Sequence, residues 1–275
     1  MRFDSVKELK GEAFRRLTGI QRNTFEAMAA VLSDTKCKQK AAGGKPNTLS
    51  VENQLLMMLE YWREYRTYFH IGQAYGISES AAYRNIKWCE NTLAKSKSFR
   101  LPGRKAVAAS DRAFDVVLID ATETPIERPK KTTALLFGQE EAAHAKNAAC
   151  CREINAPHSM HCARKGRRHD FKLFKRSKVR LHPETKAVVD SGYQGLQRAH
   201  ANTAMPKKRS KKNPLAATDK ARNRATSSER VPCENVIAML KRFKIIADRY
   251  RNRRRRFGLR FFLIAAIYNM ELEGA

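Results

Sequence analysis

Two short apolar runs that each end in an aspartate constrain the fold of this chain more than any other feature. Residues 115–120 (DVVLID) and 186–190 (KAVVD) are rich in β-branched side chains, and a proline-containing or glycine-containing break follows each run. Such runs predict buried strands. Because ligands bind at the strand ends of α/β sheets, Asp120 and Asp190 can face one crevice. The alternative is that each carboxylate only caps the turn that follows it.

A third acid, Glu234, lies in a stretch that predicts an amphipathic helix. Arg230, Glu234 and Lys241 bracket this stretch, and its apolar positions are Val236, Ile237, Leu240 and Phe243. Glu234 and Lys241 are seven residues apart, so two helical turns place them on the same side. Alone, this is the pattern of a surface ion pair. Together with the two strand-end aspartates, it predicts phosphoryl transfer assisted by Mg²⁺ or Mn²⁺.

The segment from residue 67 to residue 88 predicts a helix-turn-helix. A helix from Thr67 to about Tyr75 is followed by Gly76-Ile77-Ser78 and then by a second helix. Gly76 can adopt the left-handed conformation of the turn, and Ser78 can cap the second helix. If the second helix enters the major groove of DNA, the candidate contacts are Ser80, Tyr83, Arg84 and Lys87. A plain connection between two core helices would give the same spacing.

The charge of the chain favours a nucleic acid as its partner. Lys and Arg number 55 against 27 Asp and Glu, and a polyanion would relieve the resulting net charge of +28. We therefore expect the protein to bind double-stranded DNA. Two basic runs predict phosphate contacts, one with Lys207, Lys208 and Arg209 and the other with Arg253, Arg254 and Arg255. The sequence predicts no membrane span and no signal peptide, so we expect a cytoplasmic, nucleoid-associated protein.

Three long blocks of the sequence resemble DDE transposases of bacterial insertion sequences, of the IS-five type within the IS-four superfamily. The blocks are VLIDATETPIERPKK (117–131) and residues 166–195 and 229–272, and the helix-turn-helix region is also similar. Around its third acid the family has a tyrosine, two residues, an arginine, three residues, a glutamate, six residues and a lysine. Arg230, Glu234 and Lys241 fit this spacing, whereas Ser227 stands where the tyrosine would be.

This resemblance implies a fold, a chemistry and roles for the acids. It implies a helical DNA-binding domain over residues 1–100 and a ribonuclease-H-like catalytic domain over residues 106–275, whose mixed sheet is flanked by helices. Asp120, Asp190 and Glu234 would be the catalytic acids that hold the metal, with Arg230 and Lys241 beside them. The family cuts DNA at the ends of an element and transfers the strands to a target. It generally works as multimers, so a homo-oligomer on DNA is expected.

Residues 132–165 depart from the family. They contain Cys150, Cys151 and Cys162 with three histidines, but the spacing fits no standard zinc site. A reading frame shifted by one base across codons 132–146 can encode a basic strand of the kind that the family has at this place. We therefore predict that the segment is frameshifted, that it favours a helix over a core strand, and that this copy is catalytically impaired.

Two other classes of protein fit part of the pattern. A DNA-binding regulator without catalysis would need only the helix-turn-helix. A metal-dependent DNA nuclease would share the three acids but would not join strands.

Overall fold

The computed structural model describes residues 2–41, 43, 47–101, 116–127, 143–152, 159–165, 170–210, 214–252 and 255–273. The helices of this part of the chain are α1 (Phe3–Val6), α2 (Gly11–Thr18), α3 (Arg22–Lys40), α4 (Val51–Glu64), α5 (Tyr68–Tyr75), α6 (Glu79–Lys95), α7 (Asp170–Ser177), α8 (Ala217–Lys241), α9 (Lys244–Ala247) and α10 (Phe257–Glu273). The strands are β1 (Val116–Ile126), β2 (Ala143–Arg152), β3 (Ser159–Lys165), β4 (Lys186–Val189) and β5 (Thr203–Ala204).

The chain folds into two compact units, each built from segments that are distant in sequence. Unit 1 comprises Met1–Arg100, Lys241–Asp248 and Leu259–Ala275, and unit 2 comprises Leu101–Leu240 and Arg249–Gly258. This differs from the predicted division, which assigned all of residues 106–275 to one catalytic domain. The reason is that the C-terminal helices contribute to the core of unit 1, where Ile245, Leu263 and Ile267 are fully buried.

Unit 1 is organised around α4, which is apolar on nearly all sides. The side chains of this helix that are at most 2% exposed include Leu55, Leu56, Met57, Met58, Leu59, Tyr61 and Trp62. A helix that is hydrophobic all round must be covered by its neighbours, and α2, α3, α5, α6 and α9 all contact α4. Within the described residues, no helix has both the length and the apolar character that a membrane crossing requires.

Unit 2 contains a five-stranded mixed sheet with the strand order β3-β2-β1-β4-β5. Strands β1, β4 and β5 are parallel to one another, whereas β2 is antiparallel to both β1 and β3. Val117, Ile119, Ala187 and Val189 pack with Phe174 of α7 on one face of the sheet. The predicted α/β fold with a mixed sheet is therefore confirmed.

Strand β1 is longer than the sequence predicts. The predicted strand ends at Asp120, but in the structure β1 continues to Ile126 and pairs with β2 over residues 117–126. Pro125 lies inside the strand, and its carbonyl accepts a hydrogen bond from the Tyr250 N–H at 2.8 Å. This hydrogen bond needs no N–H from the proline, which has none to donate. Asp120 therefore lies within β1, at the point where the parallel partner β4 ends.

The atypical segment contributes strands β2 and β3, and this corrects the expectation that it favours a helix. Ladder pairing explains the difference, because the long edge of β1 offers N–H and C=O groups that an antiparallel strand can satisfy. Such tertiary pairing overrides the weak preference of alanine-rich sequence for helix. The cysteine and histidine side chains of the segment lie outside what the structure describes, and the frameshift stays a prediction.

Candidate active site and DNA-binding helix

The two strand-end aspartates lie side by side at one edge of the sheet. Strands β1 and β4 pair in parallel up to Ile119 and Val189, so Asp120 and Asp190 are the next residue of each strand. Neighbouring strands are about 4.8 Å apart, which sets the scale of the separation between the two backbones. Both residues are partly buried. The structure thus brings the backbones of these two predicted acids to adjacent positions of the sheet.

Asp190 also caps the turn that follows it. One of its carboxylate oxygens, Oδ1, accepts a hydrogen bond from the Gly192 N–H at 2.9 Å and begins the short 3₁₀ turn Ser191–Tyr193. The capping alternative is therefore realised at this residue. A carboxylate has about four acceptor sites, so one backbone hydrogen bond leaves capacity for another ligand.

Arg230 of α8 joins Asp120 to the third predicted acid. Its guanidinium nitrogen Nη2 lies 3.2 Å from Asp120 Oδ2 and 4.0 Å from Glu234 Oε1. Because both oxygens contact the same nitrogen, the two carboxylates can be no farther apart than the sum of these distances. The side chains of Arg230 and Asp120 are 16% and 17% exposed, whereas that of Glu234 is 60% exposed. Glu234 therefore stands at the solvent side of the group.

Helix α8 runs without interruption through Pro232. A proline usually fits only near the start of a helix, but α8 begins at Ala217 and continues to Lys241. A proline within a helix removes one hydrogen bond to the carbonyl four residues earlier, which here belongs to the exposed Ser228. Water can satisfy that carbonyl. Arg230 and Glu234 therefore keep the spacing of adjacent helical turns.

Asp170 is a fourth carboxylate that the sequence did not single out. A methyl group added to Gly192 would lie 2.6 Å from Asp170 Oδ2 and 3.1 Å from Asp190 Oδ1, so both carboxylates converge on this glycine. Asp170 is the first residue of α7. An acid in the first turn of a helix is common because it complements the helix dipole, and the sequence therefore carried no signal of a second role.

Tyr193 places a buried hydroxyl among these carboxylates. The residue is fully buried, and within the described part of the chain its hydroxyl has no hydrogen-bond partner. Burial raises the pKa of Tyr193, and the charges of Asp170, Asp120 and Asp190 raise it further. The group thus combines three carboxylates of β1, β4 and α7 with one neutral donor.

The acids do not form a closed metal cage. Among the described residues, no three His, Cys, Asp or Glu side chains are grouped closely enough to hold a metal ion. The Arg230 guanidinium is the cation that contacts both Asp120 and Glu234. Carboxylate oxygens are nevertheless the donors that Mg²⁺ prefers. Lys241 is the last residue of α8 and belongs to unit 1.

The helix-turn-helix forms in unit 1 with the predicted turn chemistry. Gly76 has φ +68°, in the left-handed region, and the side chain of Ser78 accepts a hydrogen bond from the Ala81 N–H at 3.2 Å. Helix α5 ends at Tyr75 and α6 begins at Glu79. The predicted DNA contacts are all exposed on one face of α6, at Ser80, Tyr83, Arg84 and Lys87. Ala82, Ile86 and Cys89 are buried on the opposite face.

The predicted basic contacts are only partly free. Lys207, Lys208 and Arg209 are exposed, but Lys207 Nζ donates to Asp219 Oδ2 at 2.6 Å. Arg255 is exposed, and its carbonyl accepts a hydrogen bond from the Tyr250 hydroxyl at 2.5 Å. Arg253 and Arg254 lie outside the described residues.

Comparison with known protein families agrees with this arrangement. Residues 119–269 match the family described as "DDE superfamily endonuclease", and residues 47–99 match "Helix-turn-helix of DDE superfamily endonuclease". Since the first match covers more than half of the chain, the chain belongs to the DDE superfamily of endonucleases.

One relative indicates which kind of DDE endonuclease this chain is similar to. The chain is 41% identical over 273 residues, 99% of either protein, to the "Probable transposase for insertion sequence element IS702" of Microchaete diplosiphon. This confirms the resemblance to DDE transposases of insertion sequences. The solved structure titled "Crystal structure of a pre-cleavage Mos1 transpososome" aligns with 84% of this chain and 78% of that chain, at 11% identity and a TM-score of 0.19. So low a score carries no argument about the fold.

Proposed function

We propose that this protein cuts DNA at the ends of an insertion sequence and transfers the strands to a target, using Mg²⁺ or Mn²⁺. The observation that carries the proposal is the adjacency of Asp120 and Asp190 just beyond the parallel pairing of β1 with β4, with Glu234 linked to Asp120 through Arg230. Acids so grouped in a DDE superfamily chain support phosphoryl transfer.

The residues of the group take different roles in this proposal. Asp120, Asp190 and Glu234 would hold the metal, which stabilises the charge on the attacking and leaving oxygens of a phosphodiester. Arg230 keeps Asp120 and Glu234 from repelling each other before the metal binds, and it then turns toward a DNA phosphate. Lys241 is proposed as a further phosphate contact on the same helix. Burial and the nearby carboxylates raise the pKa of Tyr193, so its hydroxyl keeps its proton.

The two units divide the work between recognition and chemistry. The exposed face of α6 would read the major groove through Ser80, Tyr83, Arg84 and Lys87. The basic residues Lys207, Lys208 and Arg209, with Arg253, Arg254 and Arg255, would contact phosphates, which brings affinity but little sequence preference. We place residues 1–100 in the DNA-binding part and the acids of residues 106–275 in the catalytic part. We expect a homo-oligomer on paired element ends within the nucleoid.

The decisive experiment replaces Asp120 by Asn and measures both cleavage and binding. The DNA that flanks the gene, as a labelled duplex, serves as substrate with Mg²⁺. We expect Asp120→Asn to lower cleavage by at least about 100-fold, since it removes one of the charges that hold the metal. DNA affinity should change less than about threefold, because α6 is untouched. Asp34→Asn, an exposed acid of α3, is the matched control. Cleavage by Asp120→Asn at the wild-type rate would refute the site.

The same assay also distinguishes two alternative functions, a DNA-binding regulator and a DNA nuclease. The exposed contacts of α6 belong to unit 1 and the acids belong to unit 2, so a regulator could bind DNA through α6 and never cut it. The described acids do not form a preformed metal cage, which also favours this alternative. A nuclease would release cut ends but give no joined product when a target plasmid is added.

We further propose that residues 132–165 are frameshifted and impair this copy. The coding sequence across codons 131–166 tests the first part. The second part is tested by restoring the shifted frame and comparing cleavage rates, which should rise in the restored protein. Equal rates would contradict the impairment and leave the assignment of the acids intact.

A further inference from the structure

A cavity of about 740 Å³ opens in unit 2 beside the turn that carries Asp190. Three segments line it: residues 194–198, residues 205–208 and the first turns of α8. Gln194, at its near end, directly follows the buried Tyr193 and is four residues beyond Asp190. One lining residue of the cavity therefore directly follows a residue that packs among the carboxylates.

One wall of the cavity is fixed to α8. The Lys207 N–H donates to Asn223 Oδ1 at 2.8 Å, and Asn223 Nδ2 donates back to the Lys207 carbonyl at 2.9 Å. Lys207 Nζ also donates to Asp219 Oδ2, and this hydrogen bond lowers the pKa of Asp219. Two hydrogen bonds between the Lys207 backbone and the Asn223 side chain, together with one ion pair, thus hold residues 205–208 in place. The Lys207 side chain stabilises this wall, and its ion pair with Asp219 reduces the charge that it presents to a ligand.

The remaining charge in the cavity is positive. Among the described residues that line it, Asp219 is the one acid, and Lys207 neutralises it. Arg198, Lys208 and Arg222 are exposed cations from three different segments that surround the same space. Like charges that converge on a concave surface focus the field there and attract anions. Gln194 and Gln197 add side-chain amides that can donate to oxygen atoms.

We propose that this cavity binds the sugar-phosphate backbone of one DNA strand next to the candidate active site. Arg198, Lys208 and Arg222 contact the phosphates, and the glutamines contact sugar or base edges. Cavities of roughly 300–1,000 Å³ suit small ligands, so this one holds a nucleotide or two of one strand and no duplex. The inference rests on the proposed function, because it states where the strand cut beside Asp120 and Asp190 runs.

The test compares two double variants of the full chain that lose the same charge. The cavity variant is Arg198→Gln with Arg222→Gln. The control is Lys220→Gln with Arg224→Gln, both exposed on α8 and displaced by about 200° from Arg222 around the helix. Affinity for a blunt duplex and for the same duplex with a short single-stranded extension is measured by fluorescence anisotropy at several KCl concentrations. Equal melting temperatures check that both variants fold, and Lys208→Gln is the second cavity variant.

We expect the extension to tighten binding of the wild type and of the control but not of the cavity variant. On the extended probe, the slope of log affinity against log salt should fall by about 1.5 in the cavity variant alone, since each lost phosphate contact removes roughly 0.7–0.9. Identical slopes and identical extension effects in the two double variants would overturn the proposal. Mg²⁺-dependent cleavage by the wild type distinguishes failure of the proposed catalytic function from failure of the proposed strand-binding site. If the wild type does not cleave DNA but the salt slopes differ as expected, the catalytic proposal is wrong and the strand-binding proposal is supported.

Discussion

Tyr193 combines complete burial with a hydroxyl that no described residue satisfies. A buried polar atom without a partner costs about 1–3 kcal/mol of stability. We therefore predict that Tyr193→Phe leaves the free energy of unfolding unchanged or raises it by about 1 kcal/mol, measured by urea denaturation. Tyr61→Phe, in the core of unit 1, serves as the comparison. A loss of stability in Tyr193→Phe would instead indicate that a water molecule bridges the hydroxyl to a carboxylate.

The carboxylates around Tyr193 show which part of the site a sequence can reveal. Asp120 and Asp190 end β-branched runs, and strand ends are where ligands bind, so the pattern itself pointed to them. Asp170 begins a helix, where an acid has an ordinary explanation. Its approach to Asp190 depends on how α7 crosses the sheet, and only the structure reports that packing. The contact of Arg230 with Asp120 likewise joins residues 110 positions apart.

At the scale of elements, the close approach of α5 to the turn depends on Gly72. A methyl group at this position would lie 2.7 Å from the Ile77 carbonyl oxygen, which is backbone and cannot move aside. We predict that Gly72→Ala destabilises the protein by about 1–3 kcal/mol, as overpacking generally does, and weakens DNA binding. Thermal unfolding and anisotropy measure the two effects.

A second glycine provides the control for this prediction. Gly11, the first residue of α2, has open space where a methyl group would be added. Gly11→Ala should be neutral or stabilise the protein by about 0.5 kcal/mol, because alanine loses less backbone entropy on folding. A Gly72→Ala variant as stable as Gly11→Ala would show that the turn can open without cost.

The helix-turn-helix could be predicted because its determinants are local. Gly76, Ser78 and the apolar positions of α6 lie within a few residues of one another, and the left-handed turn and the Ser78 cap involve only neighbouring residues. Strands β2 and β3 could not be predicted in the same way. Their sequence favours helix, and the edge of β1 that pairs with them comes from elsewhere in the chain.

At the scale of the molecule, a buried ion pair ties the C-terminal helix to the helix-turn-helix. Arg260 Nε of α10 donates to Glu90 Oε1 of α6 at 2.6 Å, and the two side chains are 2% and 0% exposed. Trp62 Nε1 donates to the same carboxylate oxygen at 3.0 Å. No local periodicity encodes a partner that is 170 residues away. The sequence alone therefore carries no signal that α10 packs with the first hundred residues.

We predict that Arg260→Met lowers the free energy of unfolding by about 3–5 kcal/mol, because it leaves Glu90 charged and buried without its partner. Adding Glu90→Leu should recover part of the loss, since removal of both charges avoids the desolvation cost. Chemical denaturation followed by circular dichroism measures both variants. Lys38→Met breaks the exposed ion pair with Asp34 and should cost less than about 1 kcal/mol. If Arg260→Met lowered the free energy of unfolding as little as Lys38→Met does, the proposed stabilising role of the buried ion pair would be wrong.

The discontinuous composition of unit 1 has a consequence for synthesis on the ribosome. Its first segment is translated before the strands of unit 2, whereas α10, with Arg260, is translated after them. A nascent chain therefore lacks the Arg260 partner of Glu90 until α10 has been made. A premature stop codon upstream of α10 would yield a fragment in which α6 lacks its ion pair with Arg260, so we expect such fragments to bind DNA more weakly than the intact protein.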